Sequence, residues 1–216
     1  MRSLVWLVPL FFTPLFAHDP ITTKLTWSAE ISRLLQARCM GCHQDGGAAP
    51  FALTSYEQAR PWAVAIRDEV TQRTMPPWGA VRGFGDFRDD PSLTQEEIEM
   101  IIDWVNGGAP EGDPKLAPTL QPKMFAYVQP RGRAVPVSGA LRFIAPARIA
   151  ALKPTAPLEA ILRRADGSIE PLVWVNQYKP AWRHAFAPRD SVEVGAGDRI
   201  EFLPLTPGAR LVVVLQ

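Results

Sequence analysis

The stretch Cys39-Met40-Gly41-Cys42-His43 contains both cysteines of the 216-residue chain and one of its three histidines. Two thiols three positions apart, with a histidine directly after the second, form the C-x-x-C-H pattern of covalent c-type haem attachment. Each thiol of such a motif adds to one vinyl group of the haem, and the histidine supplies a nitrogen to the iron. The sequence therefore predicts one covalently attached haem c, held by Cys39 and Cys42, with His43 as the proximal axial ligand.

Two other interpretations of the cysteine pair are less favoured. A dithiol oxidoreductase also uses C-x-x-C, but its motif normally follows a strand and the adjoining histidine has no role there. A zinc site needs four ligands, and beyond His18 and His43 the chain offers only His184 and no further cysteine.

The opposite side of the iron needs a second ligand, for which we expect Met75. This residue lies in Arg73-Thr74-Met75-Pro76-Pro77-Trp78, where two prolines restrict the backbone. A weak thioether ligand needs such a stiff loop, because the bond to the metal alone would not order a flexible one. Met40 lies inside the attachment motif and cannot reach the distal face. The remaining candidates for this position are Met100, which falls in a helical pattern, Met124, His18 and His184.

The first segment has the pattern of a secretion signal. Arg2 precedes an apolar run, Leu4–Phe16, which ends at the small residue Ala17. The run is shorter than the roughly 20 apolar residues of a transmembrane helix. We therefore interpret residues 1–17 as a signal peptide, with an uncleaved anchor as the alternative. The expected location is the periplasm or another exported compartment, with no integral membrane segment after cleavage.

The composition excludes several classes of protein. Hydrophobic residues make up 47% of the chain and charged residues 21%, which excludes a disordered or collagen-like chain. Lys and Arg total 23 against 22 Asp and Glu, and the resulting net charge of +1 favours neither nucleic acid nor an anionic membrane surface. We therefore expect no nucleic-acid partner.

Helical patterns lie on both sides of the haem motif. A helix capped by Thr26 or Ser28 is predicted to lead directly into the motif. The clearest helix begins after Thr94, where Glu97 completes a capping box, and it ends at Asn106-Gly107-Gly108.

Residues 27–113 resemble a class I type cytochrome c domain. An opening helix leads into the C-x-x-C-H motif, a methionine loop follows at Met75-Pro76-Pro77-Trp78, and the closing helix ends in Trp104-Val105-Asn106-Gly107-Gly108-Ala109-Pro110. The resemblance implies that the first and last helices cross beside the haem. It also implies the thioether and axial-ligand roles of four residues: Cys39, Cys42, His43 and Met75.

Beyond residue 113 the helical periodicity ends, and short β-prone runs follow a proline-containing linker. These runs are Met124–Gln129, Ala140–Ile144, Leu158–Arg163, Ile169–Val175, Arg199–Leu203 and Arg210–Leu215. Their number and spacing predict an antiparallel sandwich. We therefore expect a multidomain α + all-β chain, a small helical cytochrome c domain followed by a β-sandwich. The predicted divisions are a signal peptide at 1–17, a cytochrome c domain at 18–113, a linker at 114–118 and a β-sandwich domain at 119–216.

The stretch Asn176–Phe202 resembles the C-terminal lobe of copper type II, ascorbate-dependent monooxygenases. The resemblance rests on Trp182 and on Gly197-Asp198-Arg199-Ile200. Such enzymes hold two coppers with several histidines and a methionine, whereas this region contains His184 alone, so we interpret it as a sandwich without the catalytic metals. A copper brace between His184 and an N-terminal His18 is the alternative to a plain, exposed strand histidine.

Two functions follow from these patterns. In the first, a His/Met-ligated mono-haem c-type cytochrome transfers single electrons, and the β domain serves for docking to a redox partner protein or for assembly. In the alternative, the protein is a haem-containing enzyme or sensor, with a ligand-binding haem or a copper-dependent β domain. A His43/Met75 pair favours the first, because a six-coordinate iron leaves no position for a substrate and His/Met ligation raises the potential.

Overall fold

The computed structural model of the protein describes residues 24–126, 129–179, 181 and 184–216. The predicted signal peptide at 1–17, His18 and Trp182 lie outside these residues. Within them, helices occupy the span from residue 27 to residue 116, and strands occupy the span from residue 133 to residue 215. The chain thus combines a helical part with a β-rich part in the predicted order.

The described helical part contains four α-helices and three short turns of other helical types. The α-helices are α1 (Ser32–Arg38), α2 (Tyr56–Ala59), α3 (Ala63–Thr71) and α4 (Gln95–Asn106). A π-helical turn at Trp27–Ile31 precedes α1, a 3-10 turn at Arg60–Trp62 joins α2 to α3, and a second 3-10 turn lies at Pro114–Leu116.

Two predicted helix starts are confirmed: that of the helical segment leading into the motif and that of α4. The Thr26 hydroxyl oxygen accepts a hydrogen bond from the N–H of Ala29 at 3.2 Å, so Thr26 rather than Ser28 is the first cap. At α4, the Thr94 hydroxyl accepts from the Glu97 N–H at 3.1 Å, and the Glu97 carboxylate accepts from the Thr94 N–H at 2.7 Å. This reciprocal pair is the predicted capping box.

The helical segment at the start of the described chain packs against α4. The rings of Trp27 and Trp104 have centroids 6.5 Å apart, and Trp104 is fully buried with its indole N–H donating to the Pro110 carbonyl at 3.0 Å. At the other end of this contact, Arg38 forms an ion pair with Glu97 at 2.9 Å. The residue immediately before Cys39 is therefore tied to the first turn of α4.

The β-rich part consists of two antiparallel four-stranded sheets. The strands are β1 (Arg133–Val137), β2 (Ala140–Arg142), β3 (Ala147–Pro154), β4 (Leu158–Arg163), β5 (Ile169–Val175), β6 (Val192–Val194), β7 (Arg199–Pro204) and β8 (Leu211–Leu215). One sheet has the order β1-β8-β3-β6 and the other the order β2-β7-β4-β5. Alternating side chains of both sheets meet in one apolar core, as a sandwich requires.

The predicted strands were right where the pattern is strongest. The bounds of β4 and β5 coincide with the predicted runs, and β2, β7 and β8 lie within one residue or two of theirs. The strand predicted at Met124–Gln129 is wrong for Met124–Ala126, which have no regular structure, while 127 and 128 lie outside the described residues. The reason is that the Phe125 N–H bonds to the carbonyl of Gly41 rather than to a strand.

Two residues from before the predicted linker belong to the sandwich core. Trp78 and Phe87 are 4% and 2% exposed and pack among the buried residues of the two sheets. The segment between them lies against the edge of β5, where Ala80 is paired antiparallel with Val175. The helical part and the sandwich are therefore joined by packed side chains as well as by the chain between them.

In the part of the chain that the structure describes, no helix has the length and apolar character needed to cross a bilayer.

Candidate haem attachment site

The cysteine motif continues directly from the end of α1 as a tight turn. The N–H of Cys39 donates to the Leu35 carbonyl at 2.8 Å, as in a helix. The carbonyl of Cys39 then accepts hydrogen bonds from Cys42 N–H at 3.1 Å and from His43 N–H at 3.0 Å. The Cys39 carbonyl therefore closes a turn that contains both cysteines and His43, and neither cysteine forms a disulfide.

The environment of the two thiols disfavours their thiolate forms. Burial, with smaller contributions from Cys42 and Glu97 that outweigh the opposing charge of Arg38, raises the pKa of the Cys39 thiol to about 12. Burial also raises the pKa of the Cys42 thiol. Dithiol oxidoreductases depend on a lowered thiol pKa, because the thiolate is the nucleophile. The direction of both shifts is opposite to the one that activates a redox-active dithiol.

The imidazole of His43 is oriented by a backbone carbonyl. Its Nδ1 lies 3.2 Å from the carbonyl oxygen of Phe51. A carbonyl oxygen accepts only, so Nδ1 donates this bond and Nε2 of the neutral ring keeps its lone pair. Burial lowers the pKa of His43, against a smaller opposing effect of this hydrogen bond, which favours the neutral ring. Histidine ligands of metals are commonly fixed in this way, with one nitrogen on a carbonyl and the other on the metal.

The loop that supplies the Phe51 carbonyl folds back on the motif. The Ala49 N–H donates to the Cys42 carbonyl at 3.1 Å, and the Leu53 N–H donates to the His43 carbonyl at 3.0 Å. Gly47 comes so close to the motif that a Cβ atom there would lie 2.1 Å from the Cys42 carbonyl oxygen. A glycine is therefore required at 47 for the loop to hold His43 in this orientation.

An aromatic surface adjoins the imidazole. The ring centroids of His43 and Phe51 are 4.5 Å apart, and Phe51 stacks on Trp62 at 4.2 Å with 11° between the planes. Trp62 is nevertheless 42% exposed. An exposed aromatic stack beside a histidine nitrogen with a lone pair is a surface that a flat, apolar macrocycle would cover. The donor set and this surface thus fit a haem at the motif.

The sequence pattern alone does not identify Phe51 and Trp62 as site residues. Neither belongs to the C-x-x-C-H motif or to a regular apolar stripe. An aromatic residue shortly after the motif, outside any helical pattern, was the available signal.

The other predicted ligand, Met75, lies in the loop that follows α3. Its N–H and that of Thr74 both donate to the Glu69 carbonyl, at 3.4 Å and 3.0 Å. Met75 is 38% exposed. The other methionines differ: Met40 is fully buried in the helical core, Met100 is partly buried against that core, and Met124 is 55% exposed.

A second segment crosses the motif from the far side of the linker. The Phe125 N–H donates to the Gly41 carbonyl at 2.8 Å. A Cβ atom on Gly41 would lie 2.9 Å from the Cβ of Phe125. The close approach therefore restricts position 41 of the motif to glycine, which nothing in the sequence pattern indicated.

The interpretation of His184 as an exposed strand residue is wrong. His184 is 6% exposed, and its Nε2 lies 3.1 Å from the carbonyl oxygen of Trp78. Because a carbonyl accepts only, Nε2 donates this bond and is not available to a metal in this arrangement. His18, the other member of the considered copper brace, lies outside the described residues. Among the residues that the structure describes, no group of three or more His, Cys, Asp or Glu side chains could hold a metal ion.

The turn at 197–200, which supported the resemblance to copper monooxygenases, has a structural role. The Asp198 carboxylate accepts hydrogen bonds from the N–H groups of Ala165 at 2.9 Å and Gly195 at 3.0 Å, and it forms an ion pair with Arg164 at 3.1 Å. These bonds join the β4–β5 connection to the β6–β7 connection. They hold the pKa of the Asp198 carboxyl below its ordinary value, with the Gly195 hydrogen bond as the largest cause.

Comparison with known proteins identifies no relative from which a function could be assigned. The chain matches no protein-family model, no curated protein and no solved structure.

Proposed function

We propose that the protein is an exported mono-haem c-type cytochrome that transfers single electrons to or from a redox partner protein. One observation carries the proposal. The turn of the C-x-x-C-H motif presents two free thiols beside an imidazole whose Nδ1 is engaged by the Phe51 carbonyl, so that Nε2 is left for iron. When bound, the haem supplies a one-electron iron couple.

The residues of the chain have distinct tasks in this proposal. Cys39 and Cys42 hold the haem covalently, and His43 is the proximal ligand in an orientation set by its own loop. Phe51 and Trp62, which stack on each other, would offer the haem an apolar surface and reduce its contact with water. Exclusion of water favours the less charged, reduced iron and therefore raises the potential.

The distal ligand in this proposal is Met75. A thioether is a soft ligand that favours the reduced iron, and Met75 lies in a proline-containing loop and is 38% exposed. With His43 and Met75 as its two protein ligands, the iron would have no open position, which would suit electron transfer rather than substrate binding. The β-sandwich then serves for docking to the redox partner or for assembly.

The experiment is a redox titration of the full-length exported protein, with carbon monoxide binding measured on the reduced form. We expect a single one-electron transition, a methionine-ligand absorption band and no readily formed carbon monoxide adduct. Met75→Ala should keep the covalent haem, lose the band, lower the potential and bind carbon monoxide, and Met75→His should restore six-coordination at a lower potential.

Met100→Ala and Met124→Ala are the matched controls, because Met100 packs on the helical core and Met124 is exposed. Both should keep the band and the potential of the wild type. A wild-type iron that binds carbon monoxide readily would instead favour the sensor or enzyme alternative.

A further inference from the structure

The loop that carries Met75 is held at both ends by consecutive residues of the β-rich part. The Gln177 side-chain amide donates to the Gln72 carbonyl at 2.9 Å, directly before the loop. The Asn176 N–H donates to the Gly79 carbonyl at 3.3 Å, directly after it. From here on, the methionine loop denotes residues 73–78. It therefore lies between two hydrogen bonds that are donated by the two residues after β5.

Trp78 anchors the C-terminal end of the methionine loop inside the sandwich. Its indole ring is stacked on the His184 imidazole, with centroids 4.8 Å apart and 7° between the planes. The edge of Phe186 meets the same ring at 4.9 Å. The His184 Nε2–H also bonds to the Trp78 carbonyl at 3.1 Å, so both the side chain and the backbone of Trp78 are fixed.

The chain beyond Trp78 continues as an added edge of the sandwich. The Val81 N–H donates to the Trp174 carbonyl at 2.7 Å, and the Arg88 N–H donates to the Ala187 carbonyl at 2.9 Å. Phe87 is paired with Pro188 in an isolated antiparallel bridge. The Val81 bond joins the chain three residues after Trp78 to the edge strand β5, and the Arg88 and Phe87 contacts join the chain further on to the segment at 187–188.

We propose that the β-sandwich positions the distal haem ligand. Trp78, His184 and Gln177 act as positioning residues, which hold the methionine loop and would thereby keep the Met75 thioether in place to bind the iron. A thioether binds iron weakly, so its occupancy depends on how well the surrounding structure places it beforehand. The inference rests on the proposed function and gives the β-rich part a role within the haem site in addition to docking.

The test compares variants of the full-length haem-loaded protein. Trp78→Leu removes the stacked anchor, and Gln177→Ala removes the exposed bond at the other end of the loop with little effect on folding. Leu162→Ala is the control for Trp78→Leu, because Leu162 is fully buried in the same core. Gln216→Ala is the control for Gln177→Ala, because the Gln216 amide also donates to a carbonyl at 2.9 Å, that of Arg131.

We expect both loop variants to weaken or lose the methionine-ligand absorption band, lower the potential and gain carbon monoxide binding while keeping the covalent haem. The two controls should keep the band and potential of the wild type, even where Leu162→Ala lowers the unfolding temperature. Wild-type bands and potentials in both loop variants would overturn the inference and leave the proposed ligands intact. Absence of the band from the wild type would overturn the assignment of Met75 and the inference together.

Discussion

The Nδ1 atom of His43 lies 3.2 Å from the carbonyl oxygen of Phe51, eight residues further along the chain. This hydrogen bond fixes the tautomer and the plane of the imidazole before any metal is bound. In the same loop, the N–H groups of Ala49 and Leu53 donate hydrogen bonds to the carbonyls of Cys42 and His43. The motif and the loop after it are therefore one unit, in which the loop determines how the histidine is presented.

Gly47→Ala should disturb that unit. A Cβ at position 47 would lie 2.1 Å from the Cys42 carbonyl oxygen, so the loop must move and take the Phe51 carbonyl with it. We expect lower haem occupancy and an altered iron spectrum, measured by absorbance of the purified protein. Gly195→Ala is the control, because a Cβ there meets nothing within 4 Å. A Gly47→Ala protein with wild-type occupancy and spectrum would show that the loop does not orient His43.

Single substitution of either cysteine should remove one thioether. We expect Cys39→Ser and Cys42→Ser to lose most of the holoprotein, because a haem held through one bond is retained less well. The measurement is the yield of covalent haem per chain, checked by digestion and mass spectrometry of the peptide that contains the motif. Two intact thioethers in either variant would contradict the attachment.

Asp198→Asn should lower the stability of the sandwich and change its response to acid. The folded-state pKa of Asp198 is lowered by its hydrogen bonds from Gly195 and Ala165 and by Arg164. Its charged form therefore stabilises the fold above the ordinary carboxyl pKa of about 3.9. This contribution is lost as the pH falls from that value through the lowered folded-state pKa.

The measurement is urea unfolding of wild type and variant between neutral and acidic pH. We expect the difference in unfolding free energy between them to be largest at neutral pH and to shrink below pH about 4. Glu193→Gln is the control, because Glu193 forms an exposed ion pair with Arg148. A constant difference between wild type and Asp198→Asn at every pH would contradict the assigned role of the carboxylate.

Trp104→Ala should destabilise the helical part by about 3–5 kcal/mol, as for other fully buried large aromatic residues. Trp104 packs on Trp27 between the first and last helices and donates to the Pro110 carbonyl. Trp104→Phe should cost less, since it keeps a ring and loses only the N–H donor. Thermal and urea unfolding measure both, and equal stabilities of Trp104→Ala and wild type would exclude this packing as a source of stability.

The features that the sequence predicts well are local ones. The capping box needs only Thr94 and Glu97, three positions apart, and β4 and β5 form a hairpin around Asp166-Gly167. Each of these signals lies within a few residues of the structure that it specifies. β3 was missed because Ala147–Pro154 is rich in alanine and basic residues, and its strand geometry comes from its neighbours β6 and β8.

At the candidate site too, the sequence predicts only what a local pattern specifies. The C-x-x-C-H motif directly identifies Cys39, Cys42 and His43 as site residues. The burial of Trp78 depends instead on His184, about a hundred positions along the chain, and no local pattern joins the two. The close approach of Phe125 to Gly41 is likewise a contact between distant segments. The sequence therefore places Trp78 only in a methionine loop, whereas the structure shows that Trp78 is also part of the sandwich core.

The most direct test of covalent haem attachment is the mass and haem content of the full-length protein purified from the exported fraction. We expect one haem per chain that resists acidic organic extraction, with no free thiol left at Cys39 or Cys42. A chain that carries two free thiols or a Cys39–Cys42 disulfide, with no covalent haem, would contradict the proposed function.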